Sequence, residues 1–125
     1  MSNIISMDDR ISKLHLRSAA LRDRRYAIRH PFAADAELLD LASGTRYEGV
    51  TSDVSMGGCF ICTSRPMPAK SKARLTLKYK GLAAECLIVV RIVKPRIGMG
   101  IEFVDADEAF TAMLERWIDK QRPNR

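Results

Sequence analysis

Lys72-Ala73-Arg74-Leu75-Thr76-Leu77-Lys78-Tyr79-Lys80-Gly81-Leu82 decides the fold of this chain. Ala73, Leu75, Leu77 and Tyr79 alternate with Arg74, Thr76 and Lys78. Successive side chains of a β-strand point to opposite faces, so strict alternation predicts a strand with one buried and one wet face. Lys80-Gly81 follows at once and reads as a tight hairpin turn. The chain then resumes as a strand over Leu82 to Val93, turns at Pro95 to Gly98, and ends its strands with Met99 to Val104. Connections this short join antiparallel neighbours.

Working back from the hairpin, the same texture continues. Phe32 to Leu41 is a predicted strand ended by Ser43-Gly44; Tyr47 to Val54 is a second; Cys59 to Thr63 is a short third. Pro66-Met67-Pro68 is a loop. Working forward, Phe110, Met113, Leu114, Trp117 and Ile118 fall at i, i+3, i+4, i+7 and i+8, the apolar stripe of a helix. Asp105 followed by Glu108 offers its start and Pro123 its stop. About six antiparallel strands and one amphipathic helix predict an all-β barrel with the helix as a lid, since closure removes strand edges. A thin apolar face on Met7, Ile11, Leu14, Ser18 and Leu21 allows a helix in an N-terminal arm. The expected organisation is an arm over 1–21, one domain over 22–120 and a tail over 121–125.

With 125 residues, 46% hydrophobic and 29% charged, the chain fits one globular domain. Its formal net charge of +6 favours anionic partners without choosing among them. The opening MSNIISMDDR lacks the apolar stretch of a secretory signal. The longest apolar run, Cys86 to Val90, is far short of the ~20 residues of a membrane helix. No membrane span is expected, and three cysteines without export predict reduced thiols in a cytoplasm. Cys59 and Cys62 form a lone CxxC on a predicted strand, where residues three apart face opposite sides; no metal site is expected. His15 and His30 have no catalytic partners in sequence, and no nucleophile–base pair is visible, so an enzyme is not expected.

Two stretches carry chemistry. The first is Arg24-Arg25-Tyr26-Ala27-Ile28-Arg29, an RxxxR with a further arginine before it. Guanidinium has five donors in a planar fork that grips phosphate or the O6/N7 edge of guanine. The second is Asp53-Val54-Ser55-Met56-Gly57-Gly58, a DxSxxG at the end of a strand. An ionised Asp53 accepts from the adjacent N1–H and N2–H₂ donors of guanine. Ser55 would project beside it if the strand continued, and Gly57 and Gly58 would let a ligand approach. Each stretch alone also reads blandly, as a solvated basic segment and as a turn.

In order, spacing and setting, the two motifs resemble those of the PilZ domain family. The resemblance covers about Leu21 to Ile118 and includes Gly98-Met99-Gly100-Ile101-Glu102-Phe103 as the family's GxGxxF strand. It implies a six-stranded antiparallel barrel capped by a C-terminal helix, and a receptor for cyclic di-GMP without further cofactor. Arg25 and Arg29 would hold phosphates and guanine edges; Asp53 and Ser55 would contact a guanine; Gly57 and Gly58 would shape the floor. Arg24, just before RxxxR, points to an intercalated pair of ligands. Arg91 lies on the strand where some relatives place a base-stacking side chain, but reads as an exposed strand arginine. The output would be a contact with a protein partner that the sequence does not name, and oligomeric state stays open. Two rivals remain: a nucleotide-independent PilZ-like adaptor, and a basic nucleic-acid-binding barrel. The latter wants aromatics on a strand face, whereas aromatics make up only 6% and Tyr79, Phe110 and Trp117 read as core.

Overall fold

The alternating segment forms the expected hairpin: Lys72–Tyr79 pairs antiparallel with Leu82–Lys94 around a two-residue turn. Lys80 (φ 50°) and Gly81 (φ 80°) both take positive φ, the type I′ geometry that matches strand twist. In a computed structural model describing residues 28–121, the chain runs through seven strands and a helix. These are β1 (His30–Pro31), β2 (Asp35–Asp40), β3 (Arg46–Val54), β4 (Gly58–Cys62), β5 (Lys72–Tyr79), β6 (Leu82–Lys94), β7 (Gly98–Asp105) and α1 (Glu108–Gln121). The Met7–Leu21 helix, Arg24, Arg25 and the Pro123 stop lie outside the described residues.

The sheet order β1-β3-β2-β5-β6-β7-β4 closes through an added β3–β4 pairing, and every pairing is antiparallel. Six strands therefore make a closed barrel, with the two-residue β1 laid against the end of β3. The inward faces supply the core: Leu38, Val54, Ile61, Leu75, Leu77, Ile88, Val90 and Met99 are all at or below 2% exposure. Burial of side chains of this size contributes about 1.5–3 kcal/mol each.

α1 packs against β6 and buries Phe110, Leu114, Trp117 and Ile118, the predicted stripe. Trp117 stacks on Phe32 (ring centroids 5.6 Å apart) and meets Tyr79 edge-on (5.7 Å), so the helix is locked to the barrel by an aromatic cluster. Its start differs from the expectation. β7 runs on through Asp105, and the cap is Asp107, whose Oδ1 accepts the Phe110 N–H at 2.9 Å.

The first long strand also differs. Phe32 to Leu41 is not continuous; Phe32-Ala33-Ala34 separates β1 from β2. The buried Thr51 hydroxyl explains the gap, because it accepts the Ala34 N–H and donates to the Phe32 carbonyl. A side chain thus replaces part of the backbone ladder where the chain bends. Directly opposite, the β3–β4 register shifts between Thr51 and Asp53, which leaves Ser52 as the extra residue of a bulge.

Candidate functional site

The bulge determines which way the acidic motif faces. Thr51 pairs with Ile61, and both are buried; after the extra Ser52, Asp53 pairs with Phe60 and Val54 with Cys59. Cys59 and Ile61 point into the core, so Phe60 points outward, and Asp53 with it. The outward residues continue across the sheet. Phe60 opposes Gly100 of β7, which opposes Ile92 of β6. On the other flank Pro31 of β1 opposes Asp53.

That short β1 brings Arg29 to the same place. Its Nε donates to Asp53 Oδ1 at 2.7 Å across 24 residues of sequence. The side chains are 51% and 31% exposed, so the pair is wet on one side and contributes ~1 kcal/mol at most. Asp53 Oδ2 also accepts the Ser52 hydroxyl at 3.4 Å. One arginine of RxxxR and the aspartate of DxSxxG therefore share a single outer surface. Arg24 and Arg25 precede it in sequence, outside the described residues.

Ser55 is placed differently from the expectation. β3 ends at Val54, so the strand does not carry Ser55 out beside Asp53. Ser55 is 4% exposed. Its hydroxyl accepts the Gly57 and Gly58 N–H groups and lies within donating distance of the Gly58 carbonyl, all at 3.2 Å. It holds the turn that links β3 to β4. Gly58 has a similar structural duty: a Cβ there would lie 2.2 Å from the Ile101 carbonyl oxygen, so its missing side chain lets β7 approach. Gly57 is half-buried, and its carbonyl accepts the Phe103 N–H at 3.0 Å. The motif's serine and glycines thus fix the loop from within, while Asp53 alone presents its side chain to the outer face.

Sequence reasoning missed Phe60 and Lys94. The Lys94 ammonium sits 5.6 Å from the ring centroid of Phe60, the residue that pairs with Asp53. The signal was available: Phe60 alternates with the core residues Cys59 and Ile61, so an aromatic is forced outward on β4. Arg91, as read, is exposed at 59%; it pairs with Glu102 at 2.7 Å on the same face. Cys59 is buried and Cys62 exposed, so the two thiols of CxxC do face opposite sides.

An antiparallel six-stranded barrel closed by a β3–β4 pairing and covered by a C-terminal helix defines a class of small all-β domains. The chain belongs to the PilZ domain family, which matches it over residues 23–120. No curated protein matches it. Among solved structures it is similar to the PilZ domain of CeSA from a cellulose-synthesizing bacterium. That likeness has 19% identity and TM-score 0.60, over 74% of this chain and 96% of that one. It is also similar to the Inhibitor of motility (MotI/DgrA) of Bacillus subtilis, with 14% identity and TM-score 0.60, over 76% of this chain and 52% of that one. MrkH of K. pneumonia in its apo state gives 17% identity and TM-score 0.57, over 75% of this chain and 48% of that one. The chain therefore spans about half the length of these last two. Among the described residues, no helix is long and apolar enough to cross a membrane.

Proposed function

We propose that the chain is a cyclic di-GMP receptor and adaptor. The observation that carries this reading is the 2.7 Å contact between Arg29 and Asp53, which puts one arginine of RxxxR and the aspartate of DxSxxG on one surface. Asp53 offers two acceptor oxygens to a guanine N1–H and N2–H₂ edge, and Arg29 offers a fork to a phosphate or to guanine O6/N7. In the ligand-free protein the two groups satisfy each other. A ligand that is both a guanine and a phosphodiester replaces each half of that pair with a matched partner, so the exchange costs little. Arg24 and Arg25 supply further cations to the same ligand, with Arg24 favouring an intercalated pair. Ser55, Gly57 and Gly58 act through the loop that they hold.

The expected response is a rearrangement of the Arg24–Arg29 segment over the β3–β4 surface. A protein partner reads the new position of that segment and of the arm before it. The charge of +6 adds long-range attraction for a dianionic ligand. This reading has no catalytic step.

Titration calorimetry of the full chain with cyclic di-GMP tests the proposal. Binding heat is expected, with a ratio of ligand to protein near two for the intercalated pair. Absence of both heat and thermal shift at ligand concentrations of roughly tens of micromolar overturns it. Binding of random RNA or DNA in its place would instead favour the basic nucleic-acid-binding barrel.

A further inference from the structure

Phe60 is an aromatic side chain on the outside of a closed barrel, and its bedding is unusual. A Cβ on Gly98 would lie 2.7 Å from Phe60 Cε2 and 3.0 Å from Cζ; a Cβ on Gly100 would lie 3.9 Å from Cδ1. The ring therefore lies across two glycines of β7, which have no side chains to lift it. Ile92, 58% exposed, flanks Gly100 on the far side. Phe60, Gly100 and Ile92 form a low apolar strip on adjacent strands, ~4.8 Å apart. Asp53 stands at one end of the strip, directly opposite Phe60 in the β3–β4 register. The Lys94 ammonium, 5.6 Å from the ring centroid, shows that the ring's π-face is open to a polar neighbour.

We propose that Phe60, bedded on Gly98 and Gly100, is the stacking surface for one guanine of the bound dinucleotide, with Asp53 holding that guanine's edge. The proposal rests on the reading of this surface as a cyclic di-GMP site. A planar base lying on the ring extends its edge toward the strand where Asp53 waits, because ring and carboxylate belong to paired residues. Base–aromatic stacking needs only a π-face and tolerates any base, so Phe60 supplies affinity and Asp53 supplies the choice of guanine. A stacked base displaces Lys94 from the ring, and its flexible stem lets the ammonium follow the phosphates.

Calorimetry with cyclic di-GMP on the full-length wild-type chain, Phe60→Tyr and Phe60→Leu tests this. Tyr keeps the π-face; Leu keeps apolar volume without it. Phe60→Tyr is expected to bind within about threefold of wild type, and Phe60→Leu roughly ten- to a hundredfold more weakly. Wild-type affinity in Phe60→Leu overturns the stacking role while leaving the receptor reading intact. No heat from the wild-type chain overturns both. Should Phe60→Leu melt out, the wild-type ring itself decides. Its NMR proton resonances are expected to move upfield at saturating cyclic di-GMP, and resonances that stay in place overturn the proposal.

Discussion

Asp53 and Ser55 stand two residues apart in one motif, and the structure gives them opposite duties. Asp53 meets Arg29 in a half-wet ion pair, a kind of contact that contributes ~0–1 kcal/mol. Arg29→Ala or Asp53→Ala should therefore change unfolding free energy by less than about 1 kcal/mol in a denaturant melt. Each should still weaken cyclic di-GMP binding by tenfold or more, because a charge-assisted bond to the ligand contributes ~1.5–3 kcal/mol. Loss of the fold in either variant would make the residue structural. Ser55→Ala behaves otherwise. It removes a buried hydroxyl that two backbone N–H groups lean on, at a cost of about 1–3 kcal/mol. Its melt should shift clearly, and any loss of binding should follow from the loosened loop. The sequence carried the identity of these residues but not their direction. Strict alternation would put Val50, Ser52 and Val54 on one face. The extra Ser52 breaks the period, so Val50 is exposed and Val54 fully buried. A single extra residue in one strand of a pair leaves no trace in hydrophobic periodicity.

Strand β7 shows why the barrel needs small residues at chosen places. Gly98 and Gly100 look alike in the GxGxxF pattern, yet they differ in surroundings. A Cβ on Gly98 would lie 2.3 Å from the Ile61 carbonyl oxygen as well as against Phe60; a Cβ on Gly100 would meet Ile92 Cβ at an ordinary 3.6 Å. The Ile61 carbonyl belongs to the neighbouring strand and cannot swing away as a side chain would. Gly98→Ala should therefore destabilise the barrel by about 2–3 kcal/mol or more, and Gly100→Ala by less than about 1 kcal/mol, in paired denaturant melts. Equal effects would mean that β4 and β7 can separate without loss. The strands and the helix themselves were legible because alternation and the 3.6-residue stripe are long-period signals. Element ends were less so: the Asp107 cap lies two residues beyond the expected Asp105, because β7 uses Asp105 to pair with Leu87. A cap and a last strand residue draw on the same short polar side chains, and only the pairing partner tells them apart.

At the scale of the whole molecule, closure of the barrel sets the behaviour of its thiols, and through them its response to alkali. Cys59 and Cys86 are buried, and Cys62 is exposed. Burial pushes the Cys86 thiol up to about 12, with the carboxylates of Asp105 and Asp107 adding to the rise. Burial pushes Cys59 up further, with smaller help from Cys86 and Asp53. Both thiols remain protonated in the folded protein at pH values where an unfolded chain, with thiols near 8.5, has released its protons. Above that point the folded state binds more protons than the unfolded one, so stability falls as pH rises. Unfolding free energy is expected to be insensitive to these thiols below about pH 8 and to decline as pH rises past roughly 8.5, where thiols of the unfolded chain ionise and the buried ones do not. Cys59→Ala with Cys86→Ala should flatten that decline in chemical denaturation at stepped pH, even though the cavities lower stability at neutrality. An unchanged slope would show that the alkaline loss comes from other groups. The same closure predicts one fast-reacting thiol per native chain toward a maleimide, at Cys62, with Cys59 and Cys86 labelled only as fast as the barrel opens. Those two rates measure how often the outer surface formed by β3, β4 and β7 comes apart, since Cys59 is buried on β4 beside Phe60.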